Sequence, residues 1–357
     1  MAEAPAIEAP APSRMNRTPT PGGRTLVVAP SWIGDAVLSQ PLLARLAIRQ
    51  PDTPIDVFAP RWVLPVYRRM SQVAETIENP FGHGQLSLGL RRRVGHELHD
   101  RGYSHAYVLP NSFKSALVPW FAGIPSRTGF AGEMRFGLLT DRRPLDETRL
   151  PLMVERFAWL AQAPGKRLER PVAHPKLQVA ANEFGSACRS LELEQPQKLA
   201  CFCPGAEFGP AKRWPSHHYA QLAKQLAERG YSVWLLGSAA DKPVGEEIAN
   251  ASDAINLCGS TTLDEAIILL SGADMVVTND SGLMHVAAAF DRPCVAIFGS
   301  SSPAFTPPLS NVARVVKLDL PCSPCFKRQC PLGHFDCMLK LEPEMVMREI
   351  ESLEAGT

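Results

Sequence analysis

The sequence predicts an α/β protein of two domains, each built on a parallel sheet, and three observations carry that expectation. Short runs that are apolar throughout, TLVVAP, PIDVFAP and HAYVLP and then LACFCPG, SVWLLGS, DMVVTND and CVAIFGS, suit strands covered on both faces. Helical stretches such as HHYAQLAKQLAERG and TLDEAIILLSGA fall between them, which argues for βαβ units. The length, 357 residues, exceeds what one hydrophobic core serves. Two Rossmann-like domains follow, at residues 25–180 and 181–357. The crossover is expected near residues 165 to 196, where Pro171, Pro175 and Pro196 interrupt a more polar stretch.

Residues 1–24, rich in Pro and Ala with almost no large apolar side chains, are expected to be a disordered leader. No apolar run approaches the roughly 20 residues that span a bilayer, and no hydrophobic signal region follows the N-terminal charges, so a cytoplasmic protein is expected. After TLVVAP the segment Ser31-Trp32-Ile33-Gly34-Asp35 makes a turn, and from Ala36 apolar residues recur at helical spacing. Asp35 is thus expected at or near a helix N-terminus, and two readings stand: an N-cap, or a general base beyond a strand's carboxyl end, where such sheets bind ligands. Gly34 beside it permits close backbone approach of a ligand.

The net charge of +1 conceals an asymmetry. Between Arg61 and Arg143 there are 12 Lys+Arg against 6 Asp+Glu, whereas from His174 to the end there are 15 against 21. Arg91, Arg92 and Arg93, with Arg61, Arg68, Arg69 and Lys114, are either solvated surface or a grip on an anionic ligand or headgroup. Nucleic acid is the weaker explanation, since no recognition helix, aromatic platform or strongly basic pI accompanies the charge.

In the second half, LACFCPG leads into a Gly- and Pro-rich loop that supplies Lys212 just before a helix, as a phosphate site or as an ordinary surface lysine. Further on, VVTNDSGLMHVAAAF ends a strand at Asn279, Asp280, Ser281 and Gly282 and enters a helix bearing His285. Its first amides suit a diphosphate, with Gly282 giving room and His285 facing the ligand; the alternative is a capped helix with a packed histidine.

Taken together and in order, SWIGDAVLSQPL, PGAEFGPAKRWP, NDSGLMHVAAA and PCSPCFKRQCPLGHFDCM resemble the bacterial lipopolysaccharide heptosyltransferases, over about residues 25 to 350. The resemblance implies a GT-B fold, two Rossmann-like domains with the active site in the cleft, the acceptor on the first and the nucleotide sugar on the second. It implies that Asp35 is the general base that takes the proton from the acceptor hydroxyl as it attacks ADP-L-glycero-β-D-manno-heptose, with inversion. Lys212 then offsets charge growing on the diphosphate, and Asp280, Ser281, Gly282 and His285 form the donor loop. Asp241, after Gly237-Ser238, is a candidate for the ribose hydroxyls, and Arg61, Arg91, Arg92, Arg93 and Lys114 for the acceptor, a lipid A inner core bearing the first heptose. Glu207 and Phe208 stand where some relatives carry hydroxyl residues, so no phosphate contact is transferred to them.

The resemblance implies no cofactor and places the enzyme at the cytoplasmic face of the inner membrane, in peripheral contact with it. Metal is not required by this scheme, and the donor motifs show no D-x-D pair. The spacing C-x2-C-x4-C-x6-C of Cys322, Cys325, Cys330 and Cys337 leaves open a structural zinc site or, at less demand, reduced packed thiols. Competing functions are transfer to Kdo within the same family, or a GT-B nucleotide-sugar epimerase or binding protein. A nicotinamide dehydrogenase is disfavoured by the absence of G-x-G-x-x-G.

Overall fold

The computed structural model describes residues 23–82 and 84–356, so the expected leader lies, up to Gly22, outside the described residues. Arg24, assigned to that leader from the sequence, instead opens the first strand: its amide donates to the Gly102 carbonyl at 3.3 Å, and its guanidinium pairs with the buried Asp56 carboxylate at 2.5 Å and 2.8 Å.

The first sheet has six parallel strands, β1 (Arg24–Val28), β2 (Ile55–Pro60), β3 (Val73–Asn79), β4 (Tyr103–Val108), β5 (Ser126–Phe130) and β6 (Asp141–Arg143), in the order β3-β2-β1-β4-β5-β6. The second comprises β7 (Leu199–Cys203), β8 (Ser232–Leu235), β9 (Ile255–Asn256), β10 (Met275–Asn279), β11 (Cys294–Phe298) and β12 (Ala313–Lys317), in the order β12-β11-β10-β7-β8-β9. Taken from its own first strand, the second sheet repeats the topology of the first. Each sheet therefore reverses direction once, between β1 and β4 and between β7 and β10, and each reversal opens a crevice at the carboxyl ends of its central strands.

Alternation along the central strands assigns the cores. Leu26 and Val28 pack with Phe58, Ala106 and Val108 on one face of the first sheet. Ala200, Phe202 and Val277 pack under Trp214 and Leu222 on one face of the second. The opposite faces, carrying Val27 and Val57 in one sheet and Cys201 and Val276 in the other, belong to one continuous cluster. The helices between the sheets thus share a single apolar interior. No helix or strand occupies residues 161–182, where the chain crosses from one sheet to the other.

Arg69 fixes that crossing. It donates to both Asp264 oxygens at 3.0 and 2.8 Å and to both Glu183 oxygens at 2.6 and 2.7 Å. With both carboxylates so engaged, this arginine joins the two sheets' helices and does not belong to an anion-binding face.

Candidate active site

Both reversals carry residues that the sequence singled out. After β1 the chain turns directly into the helix Ile33–Leu38, whose first intrahelical bond runs from the Ala36 amide to the Trp32 carbonyl at 2.9 Å. Trp32 is therefore the N-cap residue, and Asp35 sits in the first turn without capping anything. The cap reading of Asp35 is corrected: the helix begins one turn earlier than the apolar periodicity places it. Among the described residues no side chain or amide donates to the Asp35 carboxylate, and burial alone pushes its pKa up to about 6.

The helix Gly282–Ala289, after β10, lies directly against this one. A Cβ on Gly34 would stand 2.7 Å from His285 Cδ2, and a Cβ on Gly282 would stand 2.7 Å from Ile33 Cβ. The two glycines leave room for protein, not for ligand, so the expectations attached to their missing side chains are corrected: each admits the other helix. His285 is buried against Gly34, its Nδ1 has no hydrogen-bond partner among the described residues, and burial holds its pKa down at about 4, so the ring is neutral at pH 7. The fields of Asp280 and Lys212 also act on this ring. The His285 ring thus borders both the helix that carries Asp35 and the Lys212–Asp280 pair.

Lys212 Nζ is paired with Asp280 Oδ2 at 2.5 Å, and Ser301 Oγ donates to the same oxygen at 2.5 Å. Asp280 is buried, so its charge is committed to holding the lysine. Asn279 ties the loops together beneath the pair. Its Oδ1 accepts from the Trp214 amide at 3.1 Å and from the Tyr219 hydroxyl at 3.1 Å, while Nδ2 donates to the Pro204 carbonyl at 2.7 Å. Ser281 is the N-cap residue of the second helix, and its hydroxyl lies 3.2 Å from Thr278 Oγ1. Asp241 is buried beside Gly205; its Oδ2 accepts from the Ser238 amide at 3.0 Å and hydroxyl at 2.8 Å, and its Oδ1 faces Arg213 at 3.8 Å.

The basic cluster divides. Arg61, Arg92 and Arg93 are exposed and Lys114 is half-buried. Arg91 is buried, with its guanidinium 3.9 Å from the centre of the Phe81 ring, and it donates to the carbonyls of Leu86 at 2.6 Å, Lys114 at 2.9 Å and Gln85 at 3.2 Å. Its assignment to an anion-binding surface is corrected, since its donors are spent on backbone. Arg135 was not anticipated. It is fully buried and donates to the carbonyls of Pro110 and Phe130 and to Asn111, bracing the loops beyond β4 and β5. Ser301 was also missed, because one serine in a serine-rich turn carries no distinguishing spacing.

Comparison with known proteins adds to this geometry. A family model described as glycosyltransferase family 9 (heptosyltransferase) matches residues 91–336. Lipopolysaccharide heptosyltransferase 2 of Salmonella typhimurium is 50% identical over 341 residues, spanning 92% of this chain and 98% of its own. The protein of the same name from Escherichia coli is 49% identical over 341 residues, with the same coverage of 92% and 98%. The solved structure of the E. coli ADP-heptose LPS heptosyltransferase II matches with a TM-score of 0.85 at 47% identity, covering 93% of this chain and 99% of that one.

Proposed function

Because the chain belongs to glycosyltransferase family 9, the heptosyltransferases, we propose that it transfers L-glycero-D-manno-heptose from ADP-heptose to the first heptose of heptosyl-Kdo2-lipid A. The chain is a glycosyltransferase of GT-B architecture. The observation that carries the reading is the packing of His285, which borders the Lys212–Asp280 pair, against Gly34, the residue before the Asp35 carboxylate.

In this reading Asp35 is the general base. A carboxyl raised to about 6 is ionised at neutral pH yet more basic than an ordinary carboxylate, which suits it to take the proton from the acceptor hydroxyl. As that oxygen bonds to the anomeric carbon from one face, the bond to the diphosphate breaks on the other, and ADP leaves with the electron pair. Lys212 offsets the charge that grows on the diphosphate, and such placed charge lowers the barrier most when it is already oriented. Asp280 and Ser301 supply that orientation, and the first amides of the helix Gly282–Ala289, with Ser281 at its cap, offer donors to the same phosphates. His285 is a neutral spacer between the two halves of the site, and Asp241, its Oδ2 engaged by Ser238, offers Oδ1 to the ribose hydroxyls.

The acceptor belongs on residues 25–180 and the donor on residues 181–357. Arg61, Arg92, Arg93 and Lys114 are the proposed contacts to the anionic inner core, whose lipid A brings the enzyme to the cytoplasmic face of the inner membrane. The proposed contact is peripheral; among the described residues no helix is long and apolar enough to cross a membrane. The test is to incubate the protein with ADP-heptose and with lipid A cores bearing Kdo alone or Kdo plus one heptose, and to weigh the products. Gain of one heptosyl unit by the heptose-bearing core is expected; extension of the Kdo core alone, or of neither, overturns the proposal.

A further inference from the structure

A short strap crosses the donor side of the cleft. Ser323 Oγ donates to the Gly299 carbonyl at 2.6 Å and the Phe326 amide donates to the Ser300 carbonyl at 2.6 Å, which fastens residues 323–326 to the loop after β11. Just beyond, the Arg328 carbonyl accepts from the Ala211 amide at 3.1 Å, in the loop after β7. In the sheet β10 lies between β11 and β7, so residues 323–328 pass over the carboxyl end of β10, where Lys212 and Asp280 pair. We propose that Arg328, carried on this strap, is a second cation of the donor site and binds the diphosphate beside Lys212, an inference that rests on the proposed nucleotide-sugar donor.

Charge favours this. Lys212 Nζ pairs with Asp280 Oδ2 at 2.5 Å, and Arg213 faces Asp241 at 3.8 Å, so each of these cations already has a carboxylate. A diphosphate is multiply negative and gains charge as the sugar leaves, whereas helix amides supply only partial charges. Arg328 is exposed, and among the described residues no carboxylate pairs with its guanidinium. Its charge is free for a ligand.

Placement favours it as well. The centre of the Phe208 ring lies 5.0 Å from Lys212 Nζ and 5.3 Å from Arg328 Cζ. A cation within about 6 Å of a ring centre is attracted to its electron-rich face. Phe208 itself has nothing to offer a phosphate, but it draws the ammonium and the guanidinium to one place. The backbone there is fixed: Gly209 adopts φ 151°, and a Cβ on it would stand 2.5 Å from the Arg328 carbonyl oxygen, so residue 328 is pressed onto the loop that presents Lys212. An arginine on a fixed backbone loses less freedom on binding than one on a free loop. Its planar fork of donors suits phosphate oxygens in a way that the point charge of a lysine does not. Cys322, Cys325, Cys330 and Cys337, in and around the strap, form no disulfide, and among the described residues no three His, Cys, Asp or Glu side chains are placed to hold a metal. What the strap brings to the cleft is a cation.

The full chain is tested by equilibrium dialysis against labelled ADP and, separately, labelled adenosine, as the unaltered protein, Arg328→Met and Arg328→Lys. Methionine keeps a side chain over Phe208 and removes the charge. Arg328→Met is expected to bind ADP about 10- to 100-fold more weakly, the range for a lost charge-assisted contact, with adenosine binding and Tm unchanged. Arg328→Lys should recover part of the ADP affinity, and added salt should weaken ADP binding less in Arg328→Met than in the parent. Should Arg328→Met fail to fold, Arg328→Gln is measured in its place. A packing role would instead move ADP and adenosine together, without rescue by lysine. Equal ADP affinity in the parent and Arg328→Met, or parallel loss of both ligands, overturns the assignment of Arg328 and leaves the proposed donor standing. Failure of the unaltered chain to bind ADP at all overturns both.

Discussion

Replacing Asp35 by Asn is expected to make the protein more stable and nearly inactive at once. The carboxyl is raised from 3.8 to about 6 by burial, with no hydrogen bond or ion pair among the described residues to offset it. At about 1.4 kcal/mol per pKa unit, keeping the ionised form in the fold costs about 3 kcal/mol at neutral pH. Its place in the first helical turn returns about 0.5 kcal/mol through the helix dipole, too little to reverse the sign. The sign follows from proton binding. Between pH 3.8 and about 6 the folded state holds this proton more tightly than the unfolded chain, so the group's contribution to stability falls as pH rises through that window and levels off above it. Its cost is about 1.6 kcal/mol at pH 5 and about 3 kcal/mol at pH 7. Asparagine carries no charge to bury, and allowing about 1 kcal/mol for its amide leaves a gain near 2 kcal/mol at pH 7 that shrinks toward pH 5. Urea denaturation of both proteins from pH 5 to 8 measures it. Turnover should fall by about 10²–10⁴-fold, as expected for loss of a general base, while donor affinity is retained. A variant less stable than the parent at pH 7, or a gap that does not change with pH, refutes the burial argument; near-normal turnover removes Asp35 as the base.

Lys212→Ala should lower kcat as well as weaken ADP-heptose binding, and because it strands the buried Asp280 it should also destabilise by about 3 kcal/mol, as seen by Tm. Lys212→Met combined with Asp280→Asn should recover most of that stability and none of the turnover, which separates the ion pair's structural role from its chemical one. Charge reversal at the exposed Arg92 and Arg93 should raise the acceptor KM and leave Tm unchanged, whereas Arg91→Met should cost about 3 kcal/mol, because three backbone carbonyls lose their donors. An unchanged acceptor KM in the first pair would make those arginines ordinary surface. Gly34→Ala should lower both Tm and kcat, since its methyl would lie 2.7 Å from the His285 ring and must part the two helices; normal activity would show that their contact is not needed for turnover.

What the sequence by itself determined is the architecture and the type of chemistry. β1, β2, β4, β7, β8, β10 and β11 all appear as apolar runs, because strands covered on both faces expose nothing that would require a polar residue. The other five, β3, β5, β6, β9 and β12, were not legible: β3 and β12 are only partly covered and their residues mix accordingly, and β6 and β9 are only three and two residues long. Motif order pointed to the family, and the positions of Asp35 and Lys212 beyond strand ends pointed to the cleft. The tertiary structure decided which charges are free to act. Arg91 looks like its neighbours Arg92 and Arg93 in the sequence, yet helical geometry turns it inward onto three carbonyls while they face solvent. Arg69 likewise reads as surface until Glu183 and Asp264, which lie 114 and 195 residues away along the chain, close on it. Gly34 and Gly282 have no local signal for each other's helix. Such pairings depend on distances set by the packing of two sheets, and a charge that folding has paired or buried behaves differently from the same charge in water.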